Sequence, residues 1–139
     1  MNNKSLEEAL VNKAREGFAR VPYVKLLGME LLDISFGEAR LRLKMRDELR
    51  QPYGVLHGGA TASLIDTATA FAVISCLPET ERATTVDLTV HYLRPVSTGE
   101  VVCTAKVVRA GRRILTVSAE VLGEDEKLVA TALSTYTKI

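Results

Sequence analysis

Between His57 and Glu79 the only carboxylate or basic side chain is Asp66, and it stands among Leu64, Ile65, Ala68 and Phe71. An ionised carboxylate in apolar company is costly unless something satisfies it, so work as a base or nucleophile is one reason for its presence. The plainer reason is an Asp bonded to a nearby hydroxyl, Ser63 or Thr67, or a helix that faces solvent. Upstream, Pro52-Tyr53-Gly54-Val55-Leu56-His57-Gly58-Gly59 enters the same segment through two glycines. Backbone N–H groups at such a helix start lack intrahelical partners, and the helix dipole there favours a developing negative charge. Gly58 and Gly59 are therefore candidate donors to an oxyanion; a glycine-rich cap beside a structural histidine is the ordinary alternative.

The distance between these two features carries information. Asp66 lies eight residues beyond Gly58, roughly 12 Å along a helix and too far for both to address one carbonyl within a chain. They could meet across a two-fold axis, if two copies pair with these helices antiparallel. The expectation is a homodimer with two sites shared between subunits. His57 could act as a base, although anchoring the turn through backbone groups is the simpler role. His91 sits in an alternating stretch and reads as a surface or interface residue. Neither histidine has a partner at metal-ligand spacing, so no metal is expected.

The elements that must position these residues follow from periodicity. Gly58 to Leu77, closed by Pro78, predicts a helix over about 58–77. Its small residues fall on nearly every face, which predicts a helix enclosed by other structure. Ser5 and Glu8 have capping-box spacing and open a predicted N-terminal helix over about 5–20. Met29 to Ser35 reads as a strand, Gly37 as a turn, and Ala39 to Arg46 alternates apolar and basic residues. Period two returns at Thr85 to Leu93, Glu100 to Arg109, Arg113 to Leu122 and Lys127 to Lys138, and four consecutive strands predict an antiparallel meander. The result is an α+β fold in one domain spanning 1–139, with a curved antiparallel sheet wrapped around a central helix.

Composition narrows the setting. A chain of 139 residues, 47% hydrophobic and 25% charged, has the profile of one soluble globular domain. Lys and Arg total 18 against 17 Asp and Glu, which leaves no global field to draw the chain onto nucleic acid or an anionic membrane. Cys76 and Cys103 lie in apolar stretches and read as reduced thiols. Charges throughout Met1 to Arg20 argue against a signal peptide, and Asp66 argues against a membrane span in Gly58 to Pro78. A cytoplasmic protein is expected.

Over nearly its whole length the chain resembles hotdog-fold thioesterases of the phenylacetate-degradation, PaaI-like, group. The likeness rests on Leu27-Gly28-Met29-Glu30, on Gly54-Val55-Leu56-His57-Gly58-Gly59 with Ala60 to Asp66 beyond it, on Asp87 to Tyr92, and on Arg94-Pro95. It implies hydrolysis of acyl-CoA thioesters, with CoA part of the substrate and no separate cofactor. It also implies roles: the Gly58 N–H polarises the carbonyl, helped by an amide side chain seven residues earlier, here Gln51. Asp66 of the other subunit acts on water or on the carbonyl carbon, and Thr85 helps to orient it. Human-type relatives carry Asn and Ser where this chain has Gln51 and Thr85, which keeps both functional groups but makes the amide one methylene longer. Arg94, Arg109, Arg112 and Arg113 are candidates for CoA phosphates, Gly59 for a second backbone contact, and Tyr53 and Phe71 for the acyl pocket or plain core. A dimer of dimers would be compatible with the alternating strands.

Other readings remain open on sequence. A hotdog hydratase or dehydratase usually pairs its Asp with a His in the same region of the helix, and the stretch after Asp66 has none. A non-catalytic acyl-CoA sensor would keep the pocket yet gain nothing from a desolvated carboxylate beside a thioester. A purely structural oligomer would have no use for the spacing from His57-Gly58-Gly59 to Asp66.

Overall fold

The computed structural model of the protein describes residues 2–139. Helix α1 spans Asn3–Phe18, and Leu10, Ala14 and Phe18, four residues apart, bury one face of it. Its cap is Asn2, whose side chain accepts the Ser5 N–H at 2.8 Å, so the helix begins before the capping box expected at Ser5. A short helix α2, Pro22–Leu27, follows with Pro22 in its first turn and ends at Gly28, where φ is 76°. The periodicity reading had no element there. Arg46 locks the end of α2 by donating to the Leu26 and Leu27 carbonyls, both at 2.7 Å.

Six strands form one antiparallel sheet: β1 Glu30–Ser35, β2 Glu38–Lys44, β3 Ala83–Tyr92, β4 Glu100–Ala110, β5 Ile114–Gly123 and β6 Leu128–Lys138. Their spatial order is β1-β2-β4-β5-β6-β3, which corrects the expected four-strand meander. Of those last four strands, only β4, β5 and β6 are neighbours in sequence order; β3 joins the far side of β6. The physical reason is the connection from β3 to β4, which is not a tight turn but a segment that crosses the end of the sheet. It is tied down on the way, with Leu93 and Arg94 N–H donating to the Val129 carbonyl, Leu56 N–H to Val96, and Met45 N–H to Gly99.

Helix α3, Gly58–Ile74, packs on β2, β4 and β5. Leu64, Ile65, Ala68 and Ala72 are fully buried against a sheet face that includes Leu41, Leu43, Val101, Cys103, Leu115 and Val117. The helix stops at Ile74 rather than at residue 77, because Ser75 caps it and also accepts the Gly37 N–H at 2.8 Å. Enclosure is incomplete: Ala62, Ser63, Asp66, Thr67, Ala70 and Ile74 are half-buried and form one stripe along α3. A single sheet covers one side of a helix, and this stripe lies at the margin of that cover, where Asp66 still meets β3 and β6 and Ser63 lies 2.7 Å from the Tyr23 hydroxyl. No helix among the described residues is long and apolar enough to cross a membrane.

One irregularity bears directly on the site. Leu88 and Val90 mark the inward phase of β3, so unbroken alternation would turn Thr85 outward. A bulge between Thr85 and Asp87 resets the phase: Thr85 pairs with Tyr136 and Asp87 with Thr135, while Val86 has no partner and lies 57% exposed.

Candidate active site

The start of α3 is built by backbone and side-chain bonds that leave one donor over. His57 caps the helix, its Nδ1 accepting the Gly59 N–H at 2.8 Å, and its carbonyl accepts from Ala60 and Thr61. The histidine thus anchors the turn, and the Gly59 amide expected to contact substrate is already engaged. A ring nitrogen two residues upstream falls naturally against the N2 amide, which is why a histidine serves here as a cap. The Gly58 N–H has no hydrogen-bond partner among the described residues. Tyr92 closes over this glycine, its hydroxyl donating to the Gly58 carbonyl at 2.7 Å, and a Cβ at position 58 would come within 3.3 Å of the Tyr92 ring.

Beside this amide lies a cleft of about 360 Å³ lined by Gln51, Gly58, Thr61, Tyr92, Arg94 and Val96 among others, with no carboxylate in its lining. Gln51 is oriented by its own turn: its side-chain oxygen accepts the Tyr53 N–H, which leaves the amide NH₂ as the free end. Arg50 braces the same loop by donating to the Gly54 and Ser97 carbonyls. Tyr53 itself is 90% exposed in the single chain. Phe71 is core, edge-on to Phe18 with ring centroids 5.2 Å apart.

Asp66 lies further along the same helix, outside this cleft and about 12 Å from Gly58 by helical rise. Its Oδ1 accepts the Thr85 hydroxyl at 2.9 Å and lies 3.3 Å from the Tyr136 hydroxyl. The local hydroxyls that could have satisfied it are occupied elsewhere, Ser63 donating to the Gly59 carbonyl and Thr67 to the Ser63 carbonyl, both at 2.8 Å. Oδ2 has no hydrogen-bond partner among the described residues and is not buried. Burial pushes the Tyr136 phenol up to about 12.

The remaining candidates do not gather at one place. Arg94 borders the cleft and lies 3.7 Å from Asp125. Arg112 and Arg113 are exposed in the β4–β5 turn, beside the ends of β3 and β6 at Ala83 and Lys138, whereas Arg94 follows the opposite end of β3. A ten-residue strand separates them, roughly 30 Å. Arg109 is exposed in the same distant region, whereas His91, exposed on the outer face of β3, stands at the Arg94 end of that strand. Sequence reading missed two tyrosines. Tyr136 occupies the buried phase of β6, and a buried phenol demands a partner, but the helix residue it meets depends on the pairing of β3 with β6. Tyr92 carried no signal beyond its place at a strand end.

The fold agrees with what comparison finds. A family model described as thioesterase superfamily matches residues 53–130. A conserved protein of Pseudomonas aeruginosa superposes with a TM-score of 0.82 at 39% identity, over 86% of this chain and 94% of that one. The Escherichia coli PaaI protein from the phenylacetic acid degradation operon superposes at 0.86 with 25% identity, over 94% and 96% of the two chains. The medium/long-chain acyl-CoA thioesterase YigI of E. coli K12 is 29% identical over 131 residues, 84% of each chain. The chain belongs to the thioesterase superfamily, as a PaaI-like thioester hydrolase of the hotdog fold.

Proposed function

We propose that the protein hydrolyses acyl-CoA thioesters at two sites, each assembled from both subunits of a homodimer. The observation that carries this reading is the division of labour along α3. The free Gly58 amide and the Gln51 NH₂ end belong to a cleft with no acid, while the half-buried acid, Asp66, stands outside it with no free backbone donor described beside it. Two antiparallel copies of α3, meeting along the half-buried stripe, bring each Gly58 opposite the partner's Asp66. β3, an edge strand of ten residues, offers the pairing edge that would hold them there. The same two-fold operation carries the partner's Arg112 and Arg113 toward the Gly58 end, where Arg94 lies, so that CoA phosphates would be held from both chains.

In the reaction, the thioester carbonyl accepts from the Gly58 N–H and the Gln51 side chain. Asp66, oriented by Thr85, takes a proton from the attacking water, or attacks the carbonyl carbon itself to form a mixed anhydride that water then hydrolyses. The thiolate departs with little need of protonation, so an acid–base group and an oxyanion site suffice. The outer face of the sheet, polar and small around the half-exposed Leu133, would join two dimers into a tetramer. The setting we favour is the cytoplasm, where the free thiols of Cys76 and Cys103 would stay reduced.

A thiol-release assay over short-chain, long-chain and aromatic acyl-CoAs tests the activity. Asp66→Asn should lower kcat by about 10²–10⁴ while the fold survives; binding without release in the unaltered protein would instead mark a sensor. Sharing between subunits is tested by co-expressing Asp66→Asn with Gln51→Ala. A mixed dimer regains one intact site, so the mixture should exceed the mean activity of the two variants, and absence of that gain would exclude the shared site.

A further inference from the structure

Resting on Asp66 as the reacting acid, we infer that Tyr136 is a positioning residue that, together with Thr85, pins Oδ1 of Asp66 and leaves Oδ2 as the atom that reacts. Thr85 and Tyr136 are directly opposite one another in the β3–β6 ladder, so their side chains emerge side by side on the face that meets α3. Both hydroxyls reach the same carboxylate oxygen, at 2.9 and 3.3 Å. Fixing one oxygen by two donors on different strands sets the plane of the carboxylate and leaves the other oxygen without a hydrogen-bond partner among the described residues, on a side chain that is only half-buried.

Counting protons shows why the phenol serves the carboxylate. The Tyr136 oxygen lies 2.8 Å from the Thr69 hydroxyl and 3.0 Å from the Asp66 carbonyl, and Thr69 is in turn 3.0 Å from that carbonyl. Two hydroxyl hydrogens are available to this cluster. With Thr69 donating to the Asp66 carbonyl, or to the Tyr136 oxygen, the phenol proton is left to choose among neutral oxygens and the carboxylate. A charged acceptor forms a bond about twice as strong as a neutral one, so the phenol turns to Oδ1 while Asp66 is ionised. Burial keeps that proton in place, since the phenol is pushed up to about 12. The ring, 2% exposed, cannot follow solvent or swing aside.

The test is Tyr136→Phe, which removes the hydroxyl and keeps the ring. Loss of one bond to a charged group predicts kcat lower by roughly tenfold with KM within about twofold of the parent, measured well below the melting temperature. Thr69→Val separates the carboxylate from the rest of the cluster, and its kcat should stay within about twofold. Unchanged kcat in Tyr136→Phe overturns the inference, as does an equal loss in Thr69→Val, which would show that the cluster supports the helix backbone instead. Asp66→Asn serves as the reference: full activity there would sink the catalytic reading itself. A dead Asp66→Asn beside a normal Tyr136→Phe would sink only the positioning role.

Discussion

Thr85→Val is the sharpest probe of how the strand supports the acid. Valine has threonine's shape and β-branch, so the strand and the half-buried packing around position 85 should persist. What disappears is the 2.9 Å bond to Asp66 Oδ1. Hydrogen bonds to charged groups contribute about 1.5–3 kcal/mol when well buried. Asp66 and Thr85 are only half-buried, so the lower end applies, and about 1.4 kcal/mol corresponds to a tenfold fall in rate. The assay is acyl-CoA hydrolysis followed by released thiol, with kcat and KM determined separately and folding checked by melting temperature. Thr85→Ser restores the hydroxyl and should recover most of the rate. A Thr85→Val enzyme with kcat within twofold of the parent, or a Thr85→Ser enzyme equally impaired, would refute the orienting role.

Other expectations follow from the same geometry. A Cβ at position 59 would lie 2.9 Å from His57 Nδ1, so Gly59→Ala should break the histidine cap, lower stability by about 1 kcal/mol in denaturant titration and reduce hydrolysis. Glu30 is held below its ordinary value of 4.5, chiefly by the Arg42 hydrogen bond at 2.6 Å. Its stabilising contribution is therefore complete above the unfolded-state value and lost as pH falls through the lower folded one. The stability gap between the parent and Arg42→Gln, measured by denaturant at neutral pH, should narrow as the pH falls below 4.5. Burial pushes the Cys103 thiol up to about 12 and also raises Cys76. Alkylation of the native protein at about pH 8 should accordingly leave Cys103 unmodified and label Cys76 slowly, with both reacting in denaturant.

Much of this architecture was legible in the residues. Alternation located the strands within a residue or two because one face of the sheet is dry, and the glycines and Pro78 bracketed α3. The sequence order of strands misled only where β3 leaves its neighbour, since alternation reports which face of a strand is buried and never which strand lies beside it. The two halves of the proposed site could be singled out as well, Gly58 from its place at a helix start and Asp66 from its apolar surroundings. The partner of Asp66 was harder. The local hydroxyls of Ser63 and Thr67 looked equally able to bond it, but each reaches back four residues to a helix carbonyl. Tyr136, seventy residues away, becomes its neighbour only through the β3–β6 register. The arginines show the converse: Arg112 and Arg113 had suitable chemistry, but nothing in their spacing told which end of the sheet they would occupy.

The unpaired Val86 gives β3 an unequal tolerance to changes of length. Residues 85 and 87 already face consecutive positions, 136 and 135, across the ladder. Excising Val86 would join them into an ordinary pleat with threonine still turned toward the helix. Adding a residue anywhere from 85 to 87 would need a second unpaired position, or else would rotate the threonine to the opposite side of the sheet. Shortened relatives of this strand should therefore keep a hydroxyl against the acid, while lengthened ones should lose it unless a compensating loss occurs nearby.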